Sequence, residues 1–171
     1  MTALARVLVA AGLLLATAVG AADDPLAGVV LADLSDRRWA LDELRGEPVL
    51  VVVADRTASP HAASWGAWLS PRTSVLAPWR APGKVAWLSI ADLRRVPEYA
   101  RESAKERLRA PDAARPPEQA ARISPLLLDW TGDVASRLDA ARGVATVVLL
   151  GRDRQPILRV TGPPTESAVA E

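Results

Sequence analysis

Side chains able to do chemistry gather in one short stretch, Arg56-Thr57-Ala58-Ser59-Pro60-His61. A hydroxyl, an imidazole and a guanidinium this close together are the material of a nucleophilic site or an anion site. The nucleophilic option fails on spacing. His61 follows Ser59 by two positions, and on a helix such residues do not face each other. Ser59 is better read as a helix N-cap, with Pro60 at the first helical position, where its missing N–H costs nothing. His61 is the only histidine and there is no cysteine, so no catalytic residue, no metal site and no cofactor is expected. Arg56 and Thr57, beside a helix N-terminus, form a candidate anion site. Trp65 and Trp68 lie at i,i+3 on the same helix, either in the core or with one ring exposed as a contact surface. Asp129 and Asp133 flank a Gly turn and invite a cation, but a turn followed by an Asp133 cap accounts for both. Phosphate loops of the G-x-x-x-x-G-K type, G-x-G-x-x-G, H-E-x-x-H and G-x-S-x-G are absent from the sequence.

The elements that must hold this stretch are legible on either side of it. Val49 to Val53 is almost wholly β-branched with no polar alternation, which suits a strand buried on both faces. Leu26–Leu34 and Trp39–Leu41 predict a first strand and a short return. Asp42 to Gly46 predicts a brief helical turn closed by glycine. A helix is expected from Ser59 to Leu69, ended by Pro71, and then an irregular Pro-rich connection to Gly83. Lys84–Ile90 is a second buried strand. Pro97–Arg109 is a helix with a solvated charged face built from i,i+3 pairs of opposite sign. Ala110–Pro117 is a loop. Pro125–Trp130 is a strand, Asp133 to about Ala140 a short helix, and Ala145–Leu150 with Pro156–Val160 a terminal hairpin. A last helix would begin at Pro163. Trp39, Trp79, Trp87 and Trp130 are expected in the core.

The first residues predict export. Arg6, the apolar run Val7–Leu15 and the small residues Val19-Gly20-Ala21 form a secretory signal over residues 1–21, leaving one domain over 22–171. The 21 basic residues include Arg6 and face 20 acidic ones, so the mature chain is neutral. A neutral exported domain gives no electrostatic reason for nucleic acid as a partner and speaks against a transcriptional regulator. No second long apolar run suggests a membrane span in the mature chain.

Three segments resemble the redoxin branch of the thioredoxin-like superfamily. LDELRGEPVLVVV (Leu41–Val53) is similar to the redoxin approach to its active site. Ser59-Pro60-His61-Ala62 sits where that family carries Cys-x-x-Cys. LDWTGDVASRLDAARGVATVVLLGRDRQPIL (Leu128–Leu158) resembles its C-terminal half. More narrowly, ADRTAS with this C-terminal half is similar to the cysteine-less periplasmic proteins of the YtfJ type. The resemblance implies a three-layer α/β sandwich: a mixed central sheet, helices on both faces and a C-terminal β-hairpin. It also implies that Ser59, Ala62 and Ala145 stand at the two cysteines and the cis-proline of redox-active relatives. Serine and alanine cannot run a thiol cycle. A cis bond before alanine would cost about 3 kcal/mol, so a trans bond is expected. The function expected is a non-catalytic binding or accessory module in the periplasm, its partner another periplasmic protein, contacted through Arg56, Thr57, His61 and Trp65. The alternative is a small-molecule or anion site built from Arg56, Thr57, Ser59 and His61.

Overall fold

The computed structural model describes residues 24–69, 76–77, 84–113 and 125–164. The signal segment, Trp79 and most of the expected last helix lie outside these residues. In chain order the strands and helices are β1 (Val30–Asp33), β2 (Arg38–Ala40), β3 (Val49–Ala54), α1 (Ser59–Leu69), β4 (Leu76–Ala77), β5 (Val85–Asp92), α2 (Arg101–Ala113), β6 (Leu126–Asp129), α3 (Asp133–Arg137), β7 (Thr146–Leu150) and β8 (Pro156–Thr161). Short 3-10 turns, Leu41–Leu44 and Glu98–Ala100, precede β3 and α2.

The strands form one mixed sheet in the order β2-β1-β6-β5-β3-β7-β8, with β4 paired to β5. Strands β3, β5 and β6 run parallel, whereas β7 is antiparallel to β3 and β8 to β7. The parallel strands follow from the helices: α1 and α2 are the crossovers that return the chain to the same end of the sheet.

Every residue of β3 is buried, as its unbroken apolar run predicts. Alternation splits the strand between two layers. Val49, Val51 and Val53 join Leu41, Leu88 and Leu138 on the α3 face in one large cluster. Leu50 and Val52 face α1 and pack with Trp65 and Trp87. A smaller cluster of Ala91, Leu93 and Leu128 lies under α2, with Leu108 packed against it. The α3 face is therefore one continuous core. The opposite face is two separate cores, one beneath each helix.

Several local expectations are corrected. Ser59 is not the N-cap of α1. The first helical bond runs from the Ala62 N–H to the Ala58 carbonyl at 3.0 Å, so Ala58 caps, Ser59 is first and Pro60 second. Asp133 does not cap α3 either, because Gly132 holds that position at φ 74°. The Pro-rich connection before Gly83 contains β4, which extends the sheet beside the start of β5. Helix α2 continues to Ala113 into the expected loop. Pro111 falls in its last turn, at the cost of one i→i−4 hydrogen bond.

The charged face of α2 is not wholly solvated. Lys105 is buried and donates to Asp36 at 2.7 Å while also meeting Glu102 at 3.1 Å. Arg109 donates to the Leu34 carbonyl. Both side chains pin the helix to the β1–β2 turn. Among the described residues no helix is long and apolar enough to cross a membrane.

Candidate functional site

Three parallel strands end on an aspartate or run straight into one. Asp55 follows β3, Asp92 ends β5 and Asp129 ends β6. All three lie at the carboxyl end of the sheet, the end at which open α/β folds bind ligands. Each carboxylate is occupied by its own protein. Asp55 Oδ1 accepts from the Ala58 N–H at 2.8 Å and its Oδ2 from the Gly143 N–H at 3.1 Å. That joins the start of α1 to the loop before β7. Asp129 has no exposed surface. Its Oδ1 accepts from the Gly132 and Asp133 N–H groups and the Thr131 hydroxyl, and its Oδ2 from the Ala135 N–H. Asp92 takes Arg94 in a bidentate pair at 2.8–2.9 Å. Hydrogen bonding to Asp92 and the charges of Asp129 and Asp55 hold the Arg94 guanidinium above its ordinary pKa, against its desolvation. Arg94 also closes the space beside Gly132, where an added Cβ would meet its side chain at 2.7 Å.

Burial pushes the Asp55 carboxyl up, but N–H donation from Ala58, Gly143 and Thr57 and the Arg142 charge prevail and hold it below 3.8. A carboxyl with a depressed folded-state pKa stabilises the fold above its unfolded pKa, and that contribution disappears as pH falls through the folded value. Asp55→Asn should therefore cost about 1 kcal/mol near neutral pH, in the usual range for a lost cap. The gap between wild type and variant should close below about pH 4. Urea unfolding of both proteins across that range checks this; a gap that widens at low pH contradicts it.

Beside these aspartates a cleft of about 800 Å³ opens between α1 and α2. It occupies the ground between the two separate cores. Strand register builds its floor: Val52 on β3, Ser89 on β5 and Leu126 on β6 stand in one row, with Trp87 behind them. Ser89 is the one polar residue of β5 before its terminal Asp92, and it lines this opening. Arg56, Arg94, Arg95, Arg107 and Arg142 line the walls and mouth, with Asp55 and Asp92 as the acidic lining residues.

The predicted site residues divide. Arg56, Thr57 and Ser59 line the cleft, and so does Ala62. His61 does not; it is half-buried, with Nδ1 enclosed and lacking a hydrogen-bond partner among the described residues. Trp65 is removed from the candidate surface altogether. Its ring is only 3% exposed, its Nε1–H donates to the Gly162 carbonyl at 2.8 Å, and Trp68 stands edge-on to it at 5.6 Å. Trp87 is buried as expected, whereas Trp39 and Trp130 are half-buried. Ala145 is fully buried and follows a trans bond, and its carbonyl accepts from the Gly162 N–H at 2.8 Å. The Ala145 carbonyl is thus bonded within the chain. Among the described residues no group of His, Asp and Glu is arranged to hold a metal ion.

Sequence reading missed Ser89, Trp87 and the arginines beyond Arg56. Ser89 alone carried a signal, as a hydroxyl inside a buried strand. The arginines come from separate loops and from α2, and only the fold brings them together.

The sheet order and the placement of the helices define a thioredoxin-like α/β fold in a chain without cysteine. No protein-family model matches the sequence, and no curated protein matches it either. Solved structures do match in fold. The exposed lipoprotein thioredoxin of Streptococcus pneumoniae superposes with a TM-score of 0.59 at 12% identity, over 82% of this chain and 93% of that one. StoA from Bacillus subtilis gives 0.55 at 11% identity, over 80% and 89%. A secreted disulfide oxidoreductase of Mycobacterium tuberculosis gives 0.51 at 16% identity, over 84% and 90%. At such identities the likeness is one of fold.

Proposed function

We propose that this chain is an exported thioredoxin-fold module that carries no redox chemistry and binds through the cleft between α1 and α2. The observation that carries the reading is the cleft at the Ser59–Ala62 turn. Ser59 and Ala62, which the resemblance sets at the two cysteines of redox-active relatives, line a cavity of about 800 Å³. That volume lies within the range of small-molecule sites, roughly 300–1,000 Å³. The reading of residues 1–21 as a secretory signal supports export to the periplasm, and two of the structural neighbours are an exposed lipoprotein and a secreted protein. The likeness of ADRTAS and Leu128–Leu158 to YtfJ-type proteins belongs to the same reading. The cleft favours a ligand over the partner-protein surface that the sequence suggests, since Trp65 is in the core and the Ala145 carbonyl is already bonded.

Two measurements test it. The purified protein should reduce insulin disulfides and peroxide no faster than buffer; any rate above the blank ends the non-redox reading. Material retained by the immobilised protein from a periplasmic extract should be lost when Ser103→Trp fills the cleft from the exposed wall of α2. Equal retention by wild type and variant removes the cleft as the binding site.

A further inference from the structure

We infer that the ligand of this cleft is an amphipathic organic anion, with an acidic head held by the arginines and an apolar body laid on the sheet. The inference rests on the cleft being the binding site.

The argument starts from charge. The whole chain carries a formal net charge of +1, so no general excess of cations needs to be accommodated. Yet five arginines line this one opening against two aspartates. The aspartates are already used. Asp92 is taken by Arg94, and Asp55 is taken by backbone N–H groups beside Arg142. Arg56, Arg95 and Arg107 remain exposed, with no ion pair to a carboxylate among the described residues. Elsewhere Arg45 pairs with Asp24 and Asp42, Arg137 with Asp133 and Arg159 with Asp139, while exposed Arg38 and Arg152 also stand without a carboxylate among the described residues; only in this cleft do three such arginines converge. The three unpaired guanidiniums come from three elements, the β3–α1 turn, the β5–α2 connection and α2 itself. Planar forks of this kind bind carboxylate, sulfonate or phosphate heads bidentately.

The floor specifies the rest of the ligand. The apolar surface left to cover comes from half-buried Leu126, Val96 and Leu108, with Val52 and Trp87 almost wholly buried beneath it and the half-buried Ser89 adding one hydroxyl. A bare inorganic anion would leave that surface wet. A hydrocarbon body that covers it gains about 25 cal/mol for each Å² withdrawn from water. The charged mouth and apolar floor therefore select for both properties in one molecule. A cation with the same tail meets the arginines and is repelled.

The test uses the full chain and three probes below their micellar concentrations: decanoate, decyltrimethylammonium and inorganic phosphate. Calorimetric titration should show decanoate binding and no saturable binding of the other two. Arg95→Ala with Arg107→Ala should weaken decanoate about 10-fold, and Ser103→Trp should abolish it. Arg152→Ala, in the β7–β8 turn away from the cleft, should leave it unchanged, and circular dichroism confirms that each variant is folded. Equal binding of decyltrimethylammonium overturns the inference by showing that the head is not read. Binding of phosphate as tight as decanoate overturns it by showing that the tail is not read. No binding of any probe also overturns it. In each of these cases the cleft stands or falls separately, by whether Ser103→Trp still loses the material retained from the extract.

Discussion

Trp65→Ala should lower the free energy of unfolding by about 3–5 kcal/mol, the usual range for deleting a buried aromatic ring. The ring is the centre of the core beneath α1. It packs with Leu50, Val52, Ala58 and Val147, and Trp68 stands against its edge. The rest of α1 cannot compensate. Apart from Trp65, Trp68 and Leu69 the helix is built of small and polar residues, so Trp65 and Leu69 are its buried anchors. The Nε1–H bond to Gly162 also ties α1 to the end of β8, across most of the domain's sequence. Trp65→Phe keeps much of the area but leaves the Gly162 carbonyl without this donor, and should cost about 1–3 kcal/mol. For a domain of this length a loss of 4 kcal/mol corresponds to a fall in Tm of roughly 8–16 °C. Urea denaturation of both variants measures it. A cost below about 1 kcal/mol for alanine would show that the ring is not buried in solution and would return it to the candidate surface.

The second large effect is at Asp129. Substitution by alanine removes one carboxylate and leaves the N–H groups of Gly132, Asp133 and Ala135 and the Thr131 hydroxyl without their acceptor. Each buried donor left unsatisfied costs about 1–3 kcal/mol, and partial relaxation of the turn reduces the sum, so about 3 kcal/mol is expected. Asp129→Asn separates the two oxygens. Its amide carbonyl can keep the three bonds of Oδ1, but its NH₂ group would face the Ala135 N–H, donor against donor. A cost near 1–2 kcal/mol, below that of alanine, should follow. Loss of Asp129 also removes one of the charges that favour the Arg94 guanidinium, which Asp92 continues to hold. If alanine and wild type unfold at the same urea concentration, the turn is not held in this way.

These two residues mark where sequence reading succeeds and where it stops. The strand at Val49–Val53, the helix after it and the terminal hairpin follow from periods and turn residues, which are local properties. So does the absence of thiol chemistry, which needs only the count of cysteines. A favoured cap residue at the right position is a local rule, and it points to Ser59 and Asp133. The fold puts Ala58 and Gly132 at those positions, and carboxylates at the strand ends, Asp55 and Asp129, accept from N–H groups of the following turns. Trp65 could be read as core or as surface, and its partner Gly162 lies 97 residues away.

The sequence by itself determined the thioredoxin-like order of strands and helices and a first turn of α1, Ser59–Ala62, without sulfur. Only the tertiary structure decided what that turn opens onto. Residues from β3, β5 and β6 meet in one row because parallel pairing sets their register, and α1 and α2 each cover only their own part of the face. The opening between them, its apolar floor and its unpaired arginines depend on how separate segments are brought side by side, and no single stretch of the chain contains that information.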